Sequence, residues 1–352
     1  MEIAELGEFG LIRHLTNDIE PVNAETIKGV GDDCAILQFG ADQRVLVTTD
    51  LLLEGVHFDL QYVPLEHLGY KSAMVNLSDI YAMNGQPRQM TVSIGLSKRF
   101  SVEDLEQLYR GLRRACSEHS CDIVGGDTSA SLTGLTISIT CIGTGSPDSV
   151  VTRSGAQPND LICVSGNLGA AYMGLQLLER EKLVYNQQLR EAVQRGEKPE
   201  SLPPFQPDFS GREYLLERQL KPEARRDIVE ALAKAGIRPT AMIDISDGLS
   251  SEIMHICEQS NTGCRIYEER IPLDYQTAAM AEELNMNVTT CALNGGEDYE
   301  LLFTVPLTEH DRVAAINDVH IIGHVTKPDL GKVLVCRDGT EMNLKAQGWK
   351  AT

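Results

Sequence analysis

Apolar and polar residues alternate along residues 44–49, 89–96 and 134–142, with a short apolar run near 121–124, and each pattern predicts a strand. Between them, residues 66–84 and 102–118 carry apolar positions at helical spacing. In the second of these, Leu105, Leu108, Leu112 and Cys116 recur every three or four residues, and Ser101 with Asp104 resembles a capping box. The strand–helix–strand–helix order is that of an α/β unit.

Gly, Pro, Ser and Asp cluster in "GTGSPDSVVTRSGAQPND" (143–160), after which "LICVSGNLGAAYMGLQLL" begins a fresh strand, turn and helix. A boundary there divides the chain into residues 1–148 and 149–352. The second part continues as helix 222–235, strand 241–245, helix 249–260, strand 263–268, helix 276–284 and strands near 299–305 and 319–325, with "RDGT" (337–340) as a hairpin turn. The polar, proline-bearing stretch 186–211 reads as a surface excursion.

The 352 residues leave room for two cores. Against 31 Lys and Arg stand 51 Asp and Glu, a formal net charge of −20. That surplus repels nucleic acid and anionic membranes, so an anionic substrate needs placed arginines or bound cations. Nine scattered cysteines without a C-x-x-C pair imply neither a disulfide framework nor a zinc knuckle. With an acidic N-terminus and no membrane-length apolar run, the expected setting is the cytoplasm.

Five segments share a pattern in which a strand runs into Gly or Thr and then an acid: "GVGDD" (29–33), "TTD" (48–50), "VGGDTS" (124–129), "DISDGLS" (244–250) and "NGGEDYE" (294–300). One such acid would read as a helix or turn cap, but five point to a shared partner. Asp79 strengthens this, because it lies with Asn76 and Met83 along an otherwise apolar helix, where an unpaired charge is costly. Magnesium, an oxygen-seeking ion that binds through a few carboxylates and leaves positions for phosphate, is the economical partner. An EF-hand is excluded by register, since Ile243 and Ile245 would fall at ligand positions. The pair of histidines in "HIIGH" (320–324) reads as chance, and neither a Walker-type loop nor a G-x-G-x-x-G turn is present. Arg153, in "TRSGA", is the one basic residue in a glycine-serine setting; alone, it fits a surface or inter-domain ion pair.

Taken together, "GVGDDCAIL", "TTDLLLEGVHF", "NLSDIYAMNGQP", "VGGDTS", "TRSGAQPND", "IDISDGLSSEI" and "GGEDYELLFT" resemble the thiamine-monophosphate kinase family, in that family's order from residue 29 to 304. The resemblance implies an α/β fold with α+β character, like that of aminoimidazole ribonucleotide synthetase. An N-terminal mixed-sheet domain that dimerises and binds ATP and metal would be followed by a C-terminal α/β domain completing the site. It also implies ATP as co-substrate, several Mg2+ ions, thiamine monophosphate as acceptor and a homodimer.

By the same resemblance, the magnesium ligands fall on Asp33, Thr48, Thr49, Asp50, Asp79, Asp127, Asp244 and Asp247, and the ATP contacts on Tyr109, Gly126, Asp127, Arg153 and Ser246. His57, Glu297 and Trp349 match the thiamine side; Asp50, Asp127 and Asp247 are the expected catalytic acids. Tyr109 fits core packing of its helix equally, and Trp349 a tail residue closing the core. Of the rival readings, selenophosphate synthetase would need a reactive Cys or selenocysteine near its glycine-rich loop, but Cys34 sits in an apolar run. The related hydrogenase-maturation protein ends on a functional cysteine, whereas this chain ends "GWKAT". A non-catalytic acidic metal-binding module would have no use for Thr48, Thr49 and Arg153.

Overall fold

The computed structural model describes residues 3–196, 198, 207 and 209–346. Its first sheet is built from β1 (Thr26–Lys28), β2 (Ala35–Leu37), β3 (Arg44–Leu53), β4 (Gln86–Leu96), β5 (Asp122–Ala130) and β6 (Thr136–Gly145), in the order β1-β2-β3-β6-β4-β5. All neighbours are antiparallel except β4 and β5, which are parallel and joined by a helix. One face of this sheet carries α2 (Leu65–Ala82) and α3 (Val102–Glu118), which follow α1 (Ile3–Thr16) in the chain. The capping box on Ser101 and Asp104 is present, and α3 has the bounds its periodicity predicts. Gly69 and Gly111 let α2 and α3 touch: a Cβ at Gly69 would lie 1.9 Å from the Leu108 carbonyl oxygen, and one at Gly111 1.8 Å from that of Glu66.

The second sheet has the order β13-β12-β9-β11-β7-β10-β8. Its strands are β7 (Leu161–Ser165), β8 (Ala241–Asp244), β9 (Gly263–Tyr267), β10 (Leu301–Val305), β11 (Val319–Thr326), β12 (Lys332–Val335) and β13 (Glu341–Asn343). β7, β8 and β10 are buried at every position, as strands covered on both faces must be. One face packs on α7 (Leu249–Ser260), through Leu249, Ile253 and Ile256; the other packs on Ile228 and Leu232 of α6 (Arg226–Ala235) and on Val313. β12 and β13 form the hairpin expected around residues 337–340.

Four sequence expectations change. Residues 186–194 are not an excursion but the last turns of α4 (Ala170–Gln194), because strong helix formers run on until Gly196, at φ +81°, ends the pattern. Asp50 does not end a strand, since β3 stays paired with β6 from Arg44 to Leu53. Asp127 likewise lies inside β5. "NGGEDYE" follows a helix, α9 (Val288–Asn294), rather than a strand; α5 (Glu213–Leu220) and α8 (Tyr275–Glu283) precede it.

Helix α2 is buried on nearly every side because it lies between the sheets: it covers β3 and β6 and also meets β8. This placement brings Asp79 to the second sheet.

Candidate active site

Three carboxylates converge where α2 crosses from one sheet to the other. Asp33 comes from the turn before β2, Asp79 from α2 and Asp244 from the end of β8, each offering an oxygen within 4.8 Å of the other two. Asp50 joins them, because the pleat of β3 turns Thr48 and Asp50 toward α2; Thr48 Oγ1 donates to Asp79 Oδ2. Ser78 Oγ donates to Asp244 Oδ2 at 2.5 Å, and Arg153 donates to Asp33 Oδ1 from Nη2 at 2.6 Å and from Nε at 3.2 Å.

Burial and mutual repulsion make the group hungry for a cation. Burial raises the carboxyls of Asp33, Asp50, Asp79 and Asp244; Asp244 pushes Asp33, Asp50 and Asp79 further up, whereas Arg153 pulls Asp33 and Asp244 back. Asp33 Oδ2 and Asp50 Oδ2 are buried oxygens without a hydrogen-bond partner. Converging buried carboxylates, with oxygens among them and beside them left without a partner, are the donor set that magnesium takes, and the residues fit it.

A cleft of ≈ 880 Å³ opens beside the acids, lined by Asp50, Ser246 and Asp247 among others. Glu297, His57 and Lys71 also line it, and the walls beyond are largely apolar, including Phe58, Tyr62 and Leu68. Glu297 and Tyr299 take φ of +58° and +52°, conformations that cost roughly 1 kcal/mol or more for a residue with a Cβ. They are locked by Glu297 N–H to the Ser246 carbonyl at 2.7 Å and Tyr299 N–H to the Ile245 carbonyl at 2.9 Å, so two of the acidic segments brace each other. Asp247 is raised first by burial and further by Glu297; its own N–H donates to buried Glu252 at 2.9 Å. His57 Nδ1 accepts the Leu53 N–H at 2.9 Å, which leaves Nε2 as the ring's donor, and desolvation draws its pKa down.

Other expected residues lie elsewhere. Thr49 faces the far side of the first sheet, where its hydroxyl meets Ile139 O and Thr140. Asp127 pairs in register with Ser93 on that same far side, three strands from β3 and so roughly 14 Å away. Gly126 stands beside it, with room for no Cβ, which would lie 1.8 Å from Val92 O. Tyr109 packs at the edge of the core of the first sheet, the alternative its helix allowed. Trp349 lies outside the described residues.

Sequence reasoning missed Lys71, Ser78 and Glu252. Lys71 and Ser78 are seven residues apart, hence on one stripe of α2 that faces the second half of the chain, Lys71 meeting Gln219 of α5 and Ser78 meeting Asp244 of β8. A polar stripe on a buried helix was the available signal.

Residues 31–144 match the family model of AIR synthase related protein, N-terminal domain. Thiamine-monophosphate kinase of Aquifex aeolicus is 35% identical over 93% of this chain and 98% of its own, and that of Bacillus subtilis 30% identical over 98% and 99%. A solved structure described as AaThiL complexed with AMPPCP and TMP superposes with a TM-score of 0.80 at 34% identity, covering 100% of this chain and 99% of that one. The hydrogenase-maturation protein HypE in complex with ATP shares the fold, with a TM-score of 0.66 at 18% identity. Identity of this extent, end to end and across a site whose acids the fold itself assembles, means that the chain belongs to the thiamine-monophosphate kinase family.

Proposed function

We propose that the protein transfers the γ-phosphoryl group of ATP directly onto the phosphate of thiamine monophosphate, giving thiamine diphosphate and ADP. The observation that carries this reading is the one cleft lined by Asp50 and Asp247, which belong with the buried acids, and also by His57 and Glu297. ATP phosphates would lie at the acids and the acceptor along the cleft. Asp33, Thr48, Asp50, Asp79, Asp244 and Asp247 would hold magnesium, with Thr49 able to contribute only its main chain. Bound there, magnesium would neutralise the charge of two sets of phosphates that otherwise repel.

The chain's own groups orient the reactants. The acceptor's second pKa is about 6, so it reaches neutral pH as a dianion and needs no general base. His57 can donate from Nε2 to a phosphate oxygen but has no free lone pair there for a proton. Glu297 suits the cationic rings, and Trp349 is the proposed aromatic partner. Arg153 and Ser246 are the proposed ATP contacts, with Tyr109 the weakest in geometric support.

The reading includes a homodimer. Asp127 faces away from its own chain's acids, with Gly126 beside it in the edge strand, so both are proposed to serve the site of a second copy. The open face of the first sheet supports this, with Leu51 52% and Val124 58% exposed. Residues 1–148 would then be the dimerising, ATP- and metal-binding unit, and 149–352 the unit that completes the site. Among the described residues no helix is long and apolar enough to cross a membrane. Nine free cysteines accord with the proposed cytoplasmic setting. ADP release with thiamine monophosphate, thiamine and aminoimidazole precursors offered in parallel tests the reading: only the first should support rapid turnover, and equal rates without an acceptor would contradict it.

A further inference from the structure

We propose that Lys71 is a substrate-binding residue, whose ε-ammonium holds Glu297 in place and binds an oxygen of the acceptor's phosphate monoester. The inference rests on the kinase reading and deepens it at the acceptor's position in the same cleft.

Lys71 is 4% exposed, an unusual place for an ammonium group. Its Nζ donates to Glu297 Oε2 at 2.8 Å and to the Gln219 carbonyl at 3.0 Å. An ammonium has three donors, and the third has no described partner on the wall of the cleft.

The charge balance of the cleft calls for such a donor. Its described lining includes Asp50, Asp59, Glu179, Asp247 and Glu297, and only two lysines and no arginine. Lys182 is already shared between Asp59 and Glu179, and Arg153, outside the lining, is taken up by Asp33. Lys71 is held by one carboxylate and one carbonyl and keeps a third donor, so a dianionic acceptor entering these walls meets it as the least committed cation.

Position agrees with this. Glu297 N–H donates to the Ser246 carbonyl at 2.7 Å, next to Asp247, and the Lys71–Glu297 pair lines the same cleft as His57. Lys71 and Ser78 project from one stripe of α2, roughly 10 Å apart along its axis. A single buried helix thus sets the spacing between the acid cluster, through Ser78 and Asp244, and the acceptor, through Lys71.

The test compares steady-state kinetics of the full-length wild type with Lys71→Met, Lys71→Gln and Lys71→Arg, together with inhibition by thiamine, which has the rings without the phosphate. Lys71→Gln keeps a donor toward Glu297 and carries the test if the Met variant fails to fold. Losing a charge-assisted contact should raise the KM for thiamine monophosphate about 10- to 100-fold, with the KM for ATP changed less than about 2-fold and Lys71→Arg recovering part of the loss. In Lys71→Gln, which keeps a donor toward Glu297, the inhibition constant of thiamine should move far less than the KM of its phosphate. An unchanged KM in both neutral variants, or a parallel rise for thiamine and its phosphate in Lys71→Gln, would overturn the proposal. A wild type that does not phosphorylate thiamine monophosphate would instead overturn the kinase reading itself.

Discussion

Ser78 Oγ, on α2 of the first sheet's layer, donates to Asp244 Oδ2 at the end of β8 in the second sheet, 2.5 Å away. This contact ties the two halves of the acid cluster together and aims one of its carboxylates. Ser78→Ala should therefore raise the magnesium concentration for half-maximal activity about 10-fold or more, the usual effect of losing a group that orients a metal ligand. A magnesium titration of activity checks this, and an unchanged midpoint would mean that Asp244 needs no such support.

Asp50 repels Asp244 and holds a buried oxygen without a partner. Asp50→Asn should leave the melting temperature unchanged or slightly higher, while turnover falls by about 100-fold or more with the loss of phosphoryl-transfer electrostatics. Thermal unfolding and kcat measured on the same preparation separate the two effects. Loss of folding with activity per folded molecule intact would make Asp50 a structural residue.

If Asp127 serves the neighbouring copy's site, Asp127→Asn should also be inactive yet stably folded. Mixing it with Asp50→Asn under exchange conditions should restore activity, because a mixed dimer would contain one site with both acids. Sedimentation should give a dimer. No recovery from a confirmed mixed dimer would place both acids in the same copy's site.

Magnesium and pH should act together on stability. Burial raises the Asp50 carboxyl to about 6 and that of Asp33 to about 7, above the ordinary value of roughly 3.9. Between about pH 4 and 7 the folded metal-free chain thus holds more protons than the unfolded one, and its stability falls as pH rises through that window. Magnesium competes with those protons, so it should raise the melting temperature more at about pH 8 than at about pH 5.5. Equal shifts at both values would contradict the assignment, as would EDTA failing to abolish an activity that magnesium restores.

His57→Asn should mainly raise the KM for thiamine monophosphate and leave the shape of the kcat–pH profile unchanged, since the Leu53 N–H occupies Nδ1 and the proton sits on Nε2. Disappearance of an ionisation near the ordinary histidine pKa of roughly 6.5 would show a base after all.

The acid cluster was legible because the chain marks it locally. Asp33 follows a short strand, Asp244 ends one, and Asp79 is a charge on an apolar helix, so each carries its own signal. Helix α3 was legible for the same reason: its periodicity and its capping box are local. Strand pairing is not. The continuation of β3 through Thr48, Thr49 and Asp50 is imposed by β6, about 90 residues away in the chain. The direction in which Asp127 faces follows from its register with Ser93, and the importance of Lys71 from Glu297, 226 residues later. Such relationships are written in tertiary contacts, which a local pattern cannot display.

The most direct test is a single turnover with ATP labelled in its γ-phosphoryl group, magnesium and thiamine monophosphate, following the label. It should pass to the terminal phosphate of thiamine diphosphate, one per ADP formed, with none on the protein before the acceptor is added. Label on the protein beforehand, or released as orthophosphate in place of thiamine diphosphate, would contradict direct transfer in this cleft.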